Sequence, residues 1–251
     1  MLVFNRKRQL AFTLIELIIV MVLLGVLSVG VSSFLSFGTQ IYSETSARDK
    51  IISSARFAIE RLNRELRYAL PNSVRLENAA QCLQFIPIIE STIYTEIPVF
   101  PEPATKEMTV VKFDNSLFNN TLSAVVYPLS PDDVYDGSGV SENSGKVFGV
   151  DSITDAATDQ WTISFDENVQ FQKDSPTHRI FFINDSVSYC LANKSMYRNG
   201  ILMAENIVNN DPFDVTPASL QRNSIVQLRL TFENNTELIT FNNEVQVPNV
   251  P

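Results

Sequence analysis

The sequence predicts an α+β protein: one long N-terminal helix, membrane-spanning in its first half, packed on an antiparallel β-sheet. Three observations carry that expectation. No proline falls between Phe12 and Leu70, and Pro71 closes the stretch. That suits one uninterrupted helix, since an internal proline loses a backbone hydrogen bond and clashes with the preceding turn. Within it, Phe12 to Val31 is apolar apart from Thr13, Glu16 and Ser28. After Pro71 the chain turns to short runs rich in Val, Ile, Phe and Thr, broken by turn residues, as strands and their connections are.

Residues 1–11 read as a basic leader, with Arg6, Lys7 and Arg8 ahead of the apolar run. Basic flanks stay in the cytoplasm, so everything after the run is expected outside it. The twenty residues from Phe12 to Val31 make about 30 Å of helix, the thickness of a bilayer's hydrocarbon core. Glu16 is out of place there, because a carboxylate at mid-membrane costs about 2.5–3.5 kcal/mol on insertion. Ser32, Ser33, Ser36, Gly38 and Thr39 soften the helix beyond the run.

The helix is expected to continue to about residue 70 with an amphipathic second half. Ile52, Ala55, Ile59, Leu62, Leu66 and Ala69 recur at helical spacing and call for one partner surface. Arg56, Glu60, Arg61, Arg64, Glu65 and Arg67 fill the remaining positions, a solvated face with Glu60 and Arg64 as a favourable pair one turn apart.

Residues 71–251 then read as a β-rich globular domain. "CLQFIPII", "TVVKF", "LSAVVYPL", "WTISFD", "HRIFFI", "SVSYCL", "SIVQLRLTF" and "ELITF" are its strand candidates. "SIVQLRLTF" alternates, with Val226, Leu228, Leu230 and Phe232 on the face that would cover the helix stripe. "ENNT" after it is a hairpin loop. Pro98–Pro103 and Pro128–Gly145 read as exposed loops.

With 251 residues and 45% apolar content the chain can bury a sizeable core. Its net charge of −9, carried by the body rather than the leader, argues against nucleic acid as a partner. Cys82 and Cys190 are the two cysteines. In an exported domain such a pair points to a disulfide; the alternative is two reduced thiols packed as small hydrophobes.

Little suggests catalysis, and the chain is expected not to be an enzyme and to need no cofactor or metal. His178 is the only histidine, so a triad or histidine metal site would depend on it alone; it reads as a surface residue. Asp132, Asp133 and Asp136 with Gly137 imitate part of a calcium loop. Val134 stands at a ligand position, however, and Asn143 replaces the closing glutamate, so an acidic turn is the better reading.

Three readings compete for the N-terminus. A cleaved secretory signal has a shorter apolar core and a small-residue cut site. A plain signal anchor fits the length and accounts for Glu16 only as a residue near the cytoplasmic interface that snorkels or is protonated. The third rests on "AFTLIEL", which resembles the type IV prepilin motif. That resemblance implies cleavage between Ala11 and Phe12 by a prepilin peptidase, N-methylation of Phe12, and a retained helix. It also implies that Glu16 pairs with the terminal ammonium of a neighbouring subunit. A carboxylate in a helix bundle is tolerable when paired. Ala11 stands where the family has glycine, a departure that bears on the rate of cleavage.

The helix "FGTQIYSETSARDKIISSARFAIERLNRELRYALPNSVRL", with "SVSYCLANKSMYRNG" and "ITFNNEVQVPNVP", is similar to the larger minor pilins of the mannose-sensitive haemagglutinin (MSHA) type. The resemblance implies a pilin-like fold and a structural subunit that initiates or caps a filament. Its partners would be other major and minor pilins through residues 12–31, the prepilin peptidase, and the inner membrane before assembly, in a single pass. A type II secretion pseudopilin of the J-like kind shares the motif. A tip adhesin, binding surface glycans through loops near Asp132–Gly145, is the third possibility; against it, aromatic residues are sparse there, with only Tyr127 and Tyr135 nearby.

Overall fold

The computed structural model describes residues 12–114, 122–137, 139–141, 144–157, 159–219, 222–234 and 237–249. The expected helix runs Leu14–Arg67, and the chain divides by its contacts into Met1–Lys50 and Ile51–Pro251. In the first unit every described residue is exposed. An 18-residue window there reaches a mean hydropathy of 2.8, apolar and long enough to cross a membrane.

In the second unit, residues 51–67 of the helix lie on antiparallel sheet, as the amphipathic pattern requires. Ile51, Ala55, Ala58, Leu62 and Leu66 are its buried residues. Ala55, Leu62, Leu66 and Ala69 are buried as the spacing predicts; Ile52 and Ile59 are only half-buried at the edge, and Ile51 and Ala58 are buried beside them instead. The helix ends by tightening. Tyr68 and Ala69 donate to Glu65 and Leu66 at 3.1 and 3.2 Å, i→i−3 bonds that satisfy end carbonyls. The N–H groups of Leu70 and Ile88 then donate to the carbonyls of Ile86 and Tyr68, and Pro71 prevents continuation.

Two sheets share this helix. One has five strands in the order Arg75–Glu77, Cys82–Phe85, Val187–Ala192, Ser195–Arg198, Ile201–Glu205; the other has three, Phe213–Thr216, Ser224–Asn234 and Glu237–Val247. Leu83, Phe85 and Tyr189 from the first and Val226, Leu228, Leu230 and Phe232 from the second join the helix stripe in one core. Ser224–Asn234 alternates as expected, buried at the even positions from Ser224 to Phe232. It forms a hairpin with Glu237–Val247, Asn234 opposite Glu237; Asn235 and Thr236 of the loop lie outside the described residues.

The remaining strands close a six-stranded barrel, in the order Arg179–Ile183, Ile88–Glu96, Thr105–Val111, Gln160–Val169, Val147–Ala157, Ser123–Val126. The last strand pairs back to the first, Val126 opposite Ile180. Phe148, Phe165, Phe171, Phe182, Ile163 and Ile180 fill it, with Phe148 and Phe171 edge to face at 4.8 Å, a favoured aromatic geometry. In sequence the barrel sits between Cys82–Phe85 and Val187–Ala192, which are neighbours in the five-stranded sheet. It is an insertion whose two ends leave from adjacent strands. Cys82 and Cys190 face each other across that pair and are joined by a disulfide.

Pro128–Gly145 is less of a free loop than its composition suggests. A 3-10 turn, Pro131–Asp133, is followed by a small ladder of Tyr135–Asp136 with Gly139–Val140. Val134 and Tyr135 are buried with Leu70, Ile86, Val125 and Phe181. Two apolar side chains thus anchor a segment that is otherwise polar.

Candidate functional site

Phe12 is 76% exposed and lies just before the helix, which Thr13 opens. The backbone N–H of Glu16 donates to the Thr13 carbonyl at 3.1 Å and approaches its Oγ1 at 3.4 Å. Glu16 stands in the first turn of the helix, where a carboxylate meets the favourable end of the dipole, an effect of about 0.3–1 kcal/mol. Ala11 lies outside the described residues.

The second half of the helix carries a polar anchor that the solvated-face expectation missed. Glu65 accepts hydrogen bonds from Arg198 Nε at 2.9 Å, from the Tyr189 hydroxyl at 2.9 Å and from Arg61 Nε at 3.0 Å. Burial alone would raise its pKa, but the bonds from Arg198, Arg61 and Tyr189 outweigh it and hold the carboxyl below its ordinary value. Burial, with Glu65 beside it, pushes the Tyr189 hydroxyl up. The helix is thereby fixed in register on the five-stranded sheet. Glu60 and Arg64, the expected pair, stay exposed. The signal for Glu65 was its position one residue before the buried Leu66, at the edge of the stripe.

The acidic turn is also structural. Asp133 Oδ2 accepts from Lys146 Nζ at 2.7 Å and from the backbone N–H groups of Leu129 and Ser130 at 2.8 and 3.0 Å. Burial opposes ionisation, and these donors overcome it, so the Asp133 carboxyl sits below its ordinary value. Tyr135, one of the two aromatic residues near this turn, is buried with the Arg75 guanidinium 3.8 Å over its ring. Tyr127 is half-buried. The aromatic surface that a glycan site at Asp132–Gly145 needs is largely turned inward.

His178 is a surface residue held in an unusual backbone conformation, with φ of 51°. Its ring stacks on Tyr94, centroids 5.4 Å apart. Burial and the bond to Asp174 push the Tyr94 hydroxyl up. Among the described residues no group of three or more His, Cys, Asp or Glu is placed to hold a metal ion.

Residues 6–32 match the family model of the prokaryotic N-terminal methylation motif. No curated protein and no solved structure matches the chain. The motif, a helix apolar enough to cross a membrane, and an α+β domain with that helix on antiparallel sheet support a structural protein of the type IV pilin-like or pseudopilin class. The motif implies processing by a prepilin peptidase and assembly with other pilins, and with the apolar helix it fits a membrane-anchored subunit.

Proposed function

We propose that the chain is a minor pilin of a type IV, MSHA-type filament, of the kind that the biogenesis protein MshO represents, with a role in initiating or capping assembly. One observation carries the pilin-like part of this reading: Glu16 stands four residues beyond Phe12 in a helical run exposed along its whole length. A single carboxylate in an apolar seam is costly alone and specific when paired. Cleavage between Ala11 and Phe12 would create the amine it needs. The ammonium of one subunit then meets Glu16 of the next, which sets register much as one buried polar residue does in a coiled coil. Residues 12–31 supply the filament core, and the domain beyond them faces outward. No residue is assigned a catalytic role, and no cofactor enters.

A J-like pseudopilin of type II secretion would use the same N-terminal chemistry. The MSHA reading is favoured by the resemblance of the second helix half and of the segments around Cys190 and after Ile239.

The test is the N-terminal residue of the protein from its native membranes, read by mass spectrometry. N-methylated Phe12 is the expected result. A chain that begins at Met1, or one cut beyond Val31, would overturn the proposal. Crosslinking from residues 12–31 in the same membranes then separates the filaments by identifying which pilins are joined.

A further inference from the structure

Glu237–Val247 is the outer strand of the three-stranded sheet, and among the described residues it pairs only with Ser224–Asn234. The strand beside it fixes which way its backbone groups point. Arg229 and Glu233 donate their N–H groups to the carbonyls of Pro212 and Asn206, and the Thr231 carbonyl accepts from the Val208 N–H. Those odd-numbered residues therefore face away from Glu237–Val247, and Leu228, Leu230 and Phe232 face it. Their partners Asn243, Phe241 and Ile239 take up the bonds, because opposed residues of an antiparallel pair exchange both bonds or neither. Leu238, Thr240, Asn242, Glu244 and Gln246 are left with N–H and C=O groups turned to the open edge. No backbone hydrogen bond from elsewhere in the described chain reaches them.

Natural sheets blunt such an edge with lysine, proline, a bulge or a short strand. This strand has none of them. It is eleven residues long, its register is unbroken from Glu237 to Val247, and "ELITFNNEVQV" holds no lysine or proline. The core is open here as well. Ile239 and Phe241 are half-buried, with Phe241 edge to face against the buried Phe232 at 5.8 Å. Asn63 of the helix is hydrogen-bonded to Asn243. Ile59 and Ile52 stand one and three turns before Asn63 on the same flank of the helix, and they too are half-buried. Apolar surface reaches this edge from strand and helix and stops there uncovered.

A second copy of the strand fits it. A twofold axis at Phe241 sets Leu238, Thr240, Asn242 and Glu244 opposite Glu244, Asn242, Thr240 and Leu238 of the second copy. Each outward N–H then meets a C=O, as in the strand addition by which sheets recruit partners. Phe241 faces Phe241 of the second copy at the closer, non-hydrogen-bonded spacing, where aromatic pairs interact best. A foreign strand would have to supply that aromatic; a second copy brings it by symmetry. Charge agrees. Glu237 and Glu244 are the strand's only charged residues, and this register sets them opposite Val245 and Leu238, so no carboxylate faces another.

We propose that Glu237–Val247 is a homotypic docking edge, along which two copies of the chain join antiparallel and merge their three-stranded sheets into one. The edge lies outside residues 12–31 and does not depend on how the N-terminus is processed, so its failure would leave the pilin proposal standing.

Sedimentation of the detergent-solubilised full chain over a wide concentration range tests it, and a monomer–dimer equilibrium is expected. Thr240→Pro removes one outward N–H from each copy and no bond of the internal ladder. It should raise the dimer dissociation constant about tenfold or more. Ile201→Lys, at an exposed apolar residue of the five-stranded sheet, should change nothing. Near-UV circular dichroism of both variants checks that the fold is kept. Amide hydrogen exchange of the unaltered chain gives a second readout. Raising the concentration should slow exchange at Leu238, Thr240, Asn242 and Glu244, and leave Ile239, Asn243 and Val245, already bonded within the sheet, as they were. A monomer at every concentration would overturn the proposal, as would slowing without that alternation. So would a Thr240→Pro dimer as tight as the original, the result that association through the apolar helix alone would give.

Discussion

Replacing Glu65 with glutamine removes one charge and leaves the side chain's shape. Three donors converge on the carboxylate: Arg198 and Tyr189 at 2.9 Å and Arg61 at 3.0 Å. A hydrogen bond to a charged group contributes about 1.5–3 kcal/mol, but these shares are unequal. Arg61 is 34% exposed at its side chain, and a pair that solvated contributes under about 1 kcal/mol. Tyr189 is fully buried, so its hydroxyl cannot turn to solvent. Glutamine still accepts from one or two donors. The expected loss is therefore about 2 kcal/mol at pH 7, read as the difference in urea unfolding between the two full-length proteins in detergent. The sign with pH follows from the lowered pKa of Glu65. Its contribution is complete above the unfolded value near 4.5 and disappears as pH falls through the lower folded value. The gap should therefore begin to narrow below about pH 5 and close in stronger acid. Asp133 titrates in both proteins and cancels. A gap that persists unchanged into strong acid would refute the role given to the charge, and no gap at any pH would refute the anchor itself.

Other substitutions separate the remaining contributions. Leu62→Ala, which opens the centre of the helix–sheet core, should cost about 2–5 kcal/mol, whereas Phe57→Ala on the exposed side of the same helix should stay within about 0.5 kcal/mol in the same unfolding assay. Cys82→Ser with Cys190→Ser releases a disulfide spanning a sequence separation of 108, about 5 kcal/mol in the chain-entropy model. Strand pairing beside the bridge holds the same ends together, so a measured loss of about 2–4 kcal/mol is expected, with faster cleavage by protease inside 86–186. Glu16→Gln should leave cleavage before Phe12 intact and lower incorporation into filaments by about tenfold or more, some 1.4 kcal/mol; full incorporation on immunoblots of sheared filaments would refute the pairing role.

What could be read in advance depended on whether a physical constraint acts over a few residues or across the whole chain. Ser224–Asn234 was legible because one face is buried and the other solvated, which writes a period of two into the residues themselves. The helix was legible from the absence of proline and most of its buried face from the spacing, yet Ile52 and Ile59 were placed in the core where Ile51 and Ala58 lie. Ala58 is as compatible with solvent as with a core, so only the approaching sheet could select it over Ile59. Glu65 looked like a member of a solvated face because the partners that draw it inward, Tyr189 and Arg198, are more than a hundred residues away in sequence. The barrel was invisible for a related reason. Its strand candidates were found singly, but closure is a matter of register, Val126 against Ile180, and Val147–Ala157 hid behind the polar residues of its outer half. Tyr135 shows the same limit in a loop, where two apolar residues decide the packing and the surrounding Asp, Gly and Ser dominate the composition. Only the cysteines bridge the scales. Two side chains 108 positions apart mark the neck of the insertion, a location that cysteine count alone does not reveal. That placement divides the molecule's work. The helix and its two sheets make one core that needs nothing from the barrel interior. The inserted barrel can therefore vary its interior without disturbing the core that the helix shares with its two sheets.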